Sequence, residues 1–308
     1  MALTYPGAVR VREVGPRDGI QSEPARVSTG DKIRLIDALS VTGLRFIEAV
    51  SFVSPKAVPQ MADARAVWEG MRRGGGVFYS ALVPNRKGAE SAAEVRADGM
   101  QAFISASETY NERNVGKSVR ASLEDVAGVV AVGRAEGIPV EGTVSTAFGC
   151  PYEGDVSPER VTDVAKELAD RGITSISFGD TTGMATPRRV NEVVDALRGK
   201  VQGLEINMHF HDTRGTGLAN VVTAMSLGID YFDSSIGGLG GSPFAAGSSG
   251  NIATEDLVYM CEDMQIVTGV DLDRLLDAAR VAEELVDTEL PGKVLKAGPR
   301  LARMQGAP

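Results

Sequence analysis

Short β-branched runs alternate with amphipathic helical patterns eight times along this chain, and that alternation constrains the fold more than any other feature. The strand-like runs cover residues 9–14, 46–53, 78–83, 102–107, 140–146, 175–179, 205–211 and 231–236. Between them apolar residues recur at three- and four-residue spacing, as in Ile33, Ile36 and Leu39 or in Val161, Val164, Ala165 and Leu168. Ser157-Pro158-Glu159 reads as a helix start, with a capping serine before a proline at the first helical position. Gly43, Gly99, Gly137, Gly172 and Gly228 each follow a helical pattern and read as stops. No shift in composition interrupts the series. It predicts one α/β domain over residues 1–308, a closed parallel (β/α)8 barrel of the TIM type over about 9–265 with an additional C-terminal helical segment. That segment comprises a helix over 272–285 and, after Pro291, an extended or mobile tail.

Hydrophobic residues make up 43% of the chain, enough for a sizeable buried core. The formal charge of −9 argues against a general nucleic-acid binder, though an anionic small substrate needs only a few well-placed cations. The first strand candidate begins by Val9, which leaves no room for a targeting peptide, and no apolar run approaches a membrane span. Two cysteines, Cys150 and Cys261, are too few for a disulfide framework and read as free thiols in a reducing compartment. The expectation is a cytoplasmic protein with neither nucleic acid nor membrane as a partner. Barrel enzymes often dimerise, so a homodimer is open, but no dimer surface is readable.

A barrel of this kind places its chemistry at the C-terminal ends of the strands. The only two histidines, His209 and His211, fall there, two residues apart on one strand face. Convergent neutral imidazoles suit a divalent metal; the plainer alternative is a pair of satisfied core histidines. Asp18, after the first strand, and Asn251, after the eighth, would complete a ligand set that leaves positions for substrate and water, although Arg17-Asp18-Gly19 is also a good turn sequence. Two imidazoles with oxygen ligands suit Mg²⁺ or Mn²⁺, with Zn²⁺ or Co²⁺ as substitutes. Arg17 reads either as an anchor for a developing oxyanion or as half of an ion pair. Glu48, inside an apolar run, and Asp180, at the end of the sixth strand, read as proton handlers, as orienting groups, or as structural pairs and caps. Within the glycine-rich loop 237–250, the stretch 237–243 matches no phosphate-binding fingerprint and reads as a mobile lid or a flexible connection.

Several segments resemble the hydroxymethylglutaryl-CoA lyases over about residues 11–285. They are Glu13-Val14-Gly15-Pro16-Arg17-Asp18-Gly19-Ile20-Gln21, Ser51-Phe52-Val53-Ser54-Pro55-Lys56, Gly149-Cys150-Pro151-Tyr152-Glu153-Gly154, His209-Phe210-His211-Asp212-Thr213 and the run from Ser249 to Tyr259. Any one alone is weak; together they are specific. The resemblance implies a retro-Claisen cleavage of a branched 3-hydroxyacyl-CoA. In it a cation held by Asp18, His209, His211 and Asn251 polarises the tertiary hydroxyl. Loss of the hydroxyl proton breaks the C2–C3 bond, giving a keto acid and an acetyl-CoA enolate that Arg17 stabilises. Asp18 leads as the base, with Glu48 and Asp180 in support. An acyl-CoA partner needs cations for its phosphates, for which Arg86, Lys87 and, less so, Lys56 stand available; solvated surface charge is the alternative.

One position departs from the family pattern. Ser242 stands where the family lyases carry a reactive cysteine, and a hydroxyl supplies no thiolate near neutral pH. Thr143, where many members carry a larger residue, would widen the pocket. These departures admit a related substrate such as citramalyl-CoA or a longer-branched glutaryl-CoA. Two further alternatives are a condensing acyltransferase of the isopropylmalate or homocitrate synthase type, for which the chain lacks a C-terminal regulatory region, and a silent barrel that binds CoA and metal without turnover.

Overall fold

The structure, a computed structural model, describes residues 4–201, 203–240 and 250–300. Eight parallel strands close on themselves in sequence order, β1 (Arg10–Glu13), β2 (Phe46–Ser51), β3 (Phe78–Leu82), β4 (Gly99–Ser105), β5 (Val140–Ser145), β6 (Ser175–Gly179), β7 (Glu205–His209) and β8 (Tyr231–Ser234). The register joins β8 to β1, with Arg10 opposite Tyr231 and Glu13 opposite Ser234. This is the TIM barrel that the alternation predicts. All eight expected strands form, most ending a residue or two earlier than expected. The expected seventh strand stops at His209 rather than His211, because Phe210 turns its carbonyl to Ile252 N at 3.1 Å instead of to a neighbouring strand.

Helices α1 (Thr29–Leu39), α2 (Ala64–Gly70) and α3 (Arg86–Glu94) follow the first three strands. Two helices, α4 (Glu108–Val115) and α5 (Val119–Glu136), follow β4; then come α6 (Pro158–Asp170), α7 (Pro187–Lys200), α8 (Gly217–Ser226), α9 (Thr254–Asp263), α10 (Leu272–Val286) and α11 (Lys293–Ala297). The outer layer packs as the spacing dictates. Ile36 and Leu39 of α1 and Val161, Ala165 and Leu168 of α6 are fully buried, and each such aliphatic side chain stabilises by roughly 1.5–3 kcal/mol. Ser157 caps α6 by accepting from Arg160 N at 3.2 Å, as the Ser-Pro-Glu signature predicts. Among the described residues no helix is long and apolar enough to cross a membrane.

Two expectations fail. Gly99 does not stop a helix; it opens β4, where a Cβ would meet the Phe78 ring at 2.6 Å. The preceding helix ends instead at Val95, and Arg96 takes the left-handed turn at φ 56°. Nor is the chain beyond Pro291 an extended tail as far as it is described. The Asp256 carboxylate accepts from Lys293 N at 2.9 Å and Val294 N at 2.7 Å, starting α11, and Val294 is buried. Gly292 N also donates to Gly237 O at 3.0 Å, which docks this segment on the loop after β8.

Candidate active site

The loop after β1 winds into a single π-helical turn over Gly15–Gly19, with Pro16 at its start, and presents Arg17 and Asp18 at the C-terminal mouth of the barrel. On the far side of the β1–β8 seam, the chain after β7 pairs with the chain after β8. His211 and Asn251 form an isolated antiparallel bridge, and Asp212 N donates to Gly250 O at 3.1 Å. Backbone pairing therefore fixes where both loops deliver their side chains.

Asp18, His209 and His211 each offer one ligand atom, and these atoms lie within 4.8 Å of one another. His209 Nε2 is 3.1 Å from His211 Nε2 and 4.0 Å from Asp18 Oδ2. Asn251 joins them by donating Nδ2 to Asp18 Oδ2 at 2.8 Å and to Leu239 O at 3.0 Å. Asn251 Oδ1 and His211 Nδ1 are buried and find no hydrogen-bond partner among the described residues. Two ring nitrogens facing each other beside a carboxylate and an unused amide oxygen are a donor set that fits a divalent cation.

The electrostatics agree. Burial would raise the Asp18 carboxyl, but Arg17, both imidazoles and the Asn251 amide outweigh it and bring its pKa to about 2. Burial, His209 and Arg17 push His211 down to about 3, so it is neutral at physiological pH and one of its ring nitrogens keeps a lone pair for a ligand. Burial works to lower His209, yet its hydrogen bond to the Asp233 carboxylate and the charge of Asp18 raise it above the usual range.

Arg17 is gripped on two sides, by Glu48 at Nε and by Asp18 at Nη1, the latter at 2.6 Å. Glu48 is buried in β2, so its cost within the apolar run is offset by this ion pair. Asp180 lies just past β6 and donates its backbone N–H to His209 O at 2.8 Å. Its Oδ1 accepts from Met184 N at 2.7 Å and Ala185 N at 2.9 Å, while Oδ2 is buried without a partner among the described residues. Burial lifts its pKa to about 7 against those two backbone donors.

The HMGL-like family model matches residues 8–282. The chain belongs to this family. A hydroxymethylglutaryl-CoA lyase of Bacillus subtilis is 48% identical over 96% of this chain and 98% of its own. A Pseudomonas aeruginosa protein named 3-hydroxy-3-isohexenylglutaryl-CoA/hydroxy-methylglutaryl-CoA lyase is 44% identical over 90% of this chain and 93% of its own. Among solved structures, a hydroxymethylglutaryl-CoA lyase of Acinetobacter baumannii in complex with coenzyme A and 3-methylmalate superposes with a TM-score of 0.93 at 41% identity, covering 98% of each chain.

Within this HMGL-like barrel, six of the residues singled out in the sequence lie in one contact network: Arg17, Asp18, Glu48, His209, His211 and Asn251. Asp180 borders it through the His209 carbonyl. Lys56, Arg86 and Lys87 do not enter the network; they are exposed in the segments that follow β2 and β3, and Arg86 pairs with Glu90 at 2.9 Å. Ser242 lies outside the described residues, as do Gly241 and Pro243 of the stretch read as a lid. Its described root is anchored: Gly238 N donates to Ser235 O at 2.8 Å and Gly237 N to Glu255 at 3.0 Å. Thr143 is half-buried in β5, opposite Ser177.

Sequence reasoning missed several buried charges around the site, Arg12, Glu13, Asp233 and Glu255 among them. Arg12 and Asp233 form a bidentate pair behind His209, at 2.8 and 2.9 Å. Glu13 accepts from Gly15 N, Ile236 N and Thr254 Oγ1, and Glu255 holds Gly237 N. The available signal was a charged residue inside a short apolar strand, which Arg12, Glu13 and Asp233 all give. Glu255 gave none, because an acid in a helix's first turn is ordinary.

Proposed function

We propose that this chain is a divalent-metal-dependent lyase that cleaves 3-hydroxy-3-methylglutaryl-CoA to acetoacetate and acetyl-CoA. The observation that carries the reading is the convergence of Asp18, His209, His211 and Asn251 at the mouth of a barrel whose relatives are named for that reaction. Asp18, His209, His211 and Asn251 would hold the cation, Mg²⁺ or Mn²⁺ by the oxygen-rich ligand set, with Zn²⁺ or Co²⁺ as substitutes. Bound there, a divalent cation supplies Lewis-acid polarisation of the substrate's oxygens.

The rest falls to the chain's own side chains. Arg17, held still by Glu48 and Asp18, offers a fixed positive charge to the thioester oxygen, where negative charge grows as the C2–C3 bond breaks. Asp18 is ionised at neutral pH and accepts rather than donates. Asp180, with one oxygen unpartnered among the described residues and a pKa of about 7, is matched to taking or returning a proton near neutrality. The hydroxyl proton leaves, the bond breaks to give acetoacetate, and the acetyl-CoA enolate takes a proton at C2. Ser242, at the family cysteine position, contributes a hydroxyl to that last stage. Arg86, Lys87 and Lys56 serve the CoA phosphates. A cytoplasmic location is part of the proposal, supported by two buried free thiols that suit a reducing compartment.

A longer branch at C3 is the second reading, favoured by Ser242, by Thr143 and by the P. aeruginosa relative named for both substrates. Product analysis by mass spectrometry tests both. Purified protein with Mg²⁺ or Mn²⁺ is offered hydroxymethylglutaryl-CoA, a longer-branched 3-hydroxyglutaryl-CoA and citramalyl-CoA separately. Acetoacetate and acetyl-CoA from the first support the main reading; cleavage of another alone moves the substrate and keeps the chemistry. Condensation of acetyl-CoA with a keto acid would identify a synthase, and CoA binding without any turnover, unrepaired by Ser242→Cys, a silent barrel.

A further inference from the structure

Beneath the ligand cluster the barrel interior is polar. Arg12 of β1 lies at its centre, 3% exposed. Its guanidinium meets Asp233 of β8 twice, Nε to Oδ1 at 2.8 Å and Nη2 to Oδ2 at 2.9 Å. Its Nη1 reaches Glu141, on β5 across the barrel, at 2.6 Å. Asp233 Oδ1 also accepts from Asn207 Nδ2 at 2.7 Å, and Oδ2 from Ser177 Oγ at 3.3 Å. Both carboxylate oxygens thus face donors, and a bidentate guanidinium fixes the plane of the group.

The remaining contact of Oδ2 is His209 Nδ1, at 3.2 Å. A carboxylate oxygen only accepts, so the ring must carry its hydrogen on Nδ1 there, and Nε2 keeps its lone pair. Nε2 is the atom that faces His211 and Asp18. The strand register puts the three residues side by side, with Asp233 opposite Arg12 on one edge and opposite His209 on the other. His211 has no such partner on Nδ1 among the described residues. One imidazole is set by the scaffold and the other is free to adapt.

We propose that Asp233, locked by Arg12 and Asn207, is a positioning residue that fixes His209 as the Nδ1–H tautomer and so presents Nε2 to the divalent cation. The cation half of this inference rests on the metal site proposed above; the tautomer half does not. Asp233 is buried, and its oxygens are taken by Arg12, Asn207, Ser177 and His209. Its part is to set which nitrogen points into the mouth before anything binds.

The chain's two histidines make the test direct. Metal-free protein labelled with nitrogen-15 histidine is examined by long-range proton–nitrogen correlation at a pH raised until the ring shifts stop changing, with His211→Gln to assign the signals. Wild-type His209 shows a protonated Nδ1 and an unprotonated Nε2. Calorimetric titration with Mn²⁺ then compares variants. Asp233→Asn loses the single tautomer and binds Mn²⁺ about 10- to 100-fold more weakly. Glu141→Gln removes the other ion pair of Arg12 without touching Asp233 or His209; it lowers the melting temperature and leaves tautomer and Mn²⁺ affinity unchanged.

A wild-type His209 protonated on Nε2 overturns the proposal even if Asp233→Asn fails to fold. So does a folded Asp233→Asn with wild-type Mn²⁺ affinity, or a Glu141→Gln that weakens Mn²⁺ as much as Asp233→Asn does. A wild-type protein that shows the Nδ1–H tautomer and binds no Mn²⁺ would sink the metal site instead, leaving the tautomer assignment standing.

Discussion

Asn251 Nδ2 donates to Asp18 Oδ2 at 2.8 Å across 233 positions of sequence, tying the loop after β8 to the loop after β1 at the ligand cluster itself. The bond spends the amide nitrogen and leaves Oδ1 as the available acceptor. Asn251→Ala is expected to weaken Mn²⁺ binding by roughly 10- to 100-fold, and turnover with it. Asp18→Ala and His209→Ala should abolish activity while far-ultraviolet circular dichroism stays unchanged. Full turnover in both after chelation and metal readdition would show that the ligands have been misassigned.

Arg17 makes two ion pairs in a fixed plane, a geometry that lysine cannot copy. Arg17→Lys should lower kcat by roughly 10²- to 10³-fold with little change in KM, since the charge acts mainly on the transition state. Glu48→Gln should cost less, because the guanidinium loses one holder and keeps the other. Steady-state kinetics on the folded variants separates these outcomes; a pure KM effect for Arg17→Lys would place it in ground-state binding.

Asp180→Asn keeps the acceptor that holds Met184 N and Ala185 N, so the fold should survive. The variant cannot titrate. In the wild type the carboxyl is protonated below about 7 and ionised above it, which predicts a limb near pH 7 in kcat/KM. The limb should vanish in Asp180→Asn, with a loss of roughly 10²- to 10⁴-fold in rate. An unchanged pH profile would remove Asp180 from proton transfer.

Glu13 and Glu255 are both fully buried behind the loop after β8, and burial lifts their pKa values to about 7 and about 8. A carboxyl raised in the folded state binds its proton more tightly there than in the unfolded chain. Its stabilising contribution is complete below the unfolded value, near 4.5, and is lost as pH rises through the folded value. Thermal melts should therefore show a falling midpoint between about pH 5 and 8, and Glu255→Gln should flatten that fall. A wild-type midpoint independent of pH over that range would contradict it.

The Asp256 carboxylate holds both Lys293 N and Val294 N. Asp256→Ala should cost about 1 kcal/mol, as for other lost helix caps, and Val294→Asp more. Calorimetry reads both. Protease sensitivity beyond Pro291 should rise in parallel, whereas the tail expected from the sequence would give no change in either.

The barrel was legible because its strands are short and their ends are punctuated. Ser157-Pro158 and Gly137, Gly172 and Gly228 mark boundaries by backbone chemistry that packing does not override. Gly99 misled because glycine also serves where a neighbour needs room, in this case the Phe78 ring. Helix α11 was invisible since its start depends on Asp256, 37 residues upstream in the chain. Local pattern does not report such a partner.

The site was half legible for the same reason. His209, His211, Asp18 and Asn251 stand out by residue type and by falling after strands. Asp233 needs the register of three strands before its link to His209 emerges. The pull of burial on Asp180 and Glu255 likewise belongs to the folded interior, where a carboxylate's hydration is lost.

The bond from Gly292 N to Gly237 O has a consequence for synthesis on the ribosome. Chains fold from the N-terminal side as they emerge. All eight strands and the side chains of the proposed metal site precede Pro291, so the barrel can close and gather them early. The support behind Gly237 arrives only when residues 290–297 do. Nascent enzyme would thus pass through a stage with its ligands assembled and the root of its mouth loop still unbraced, a stage in which a chaperone or a protease would find that loop first.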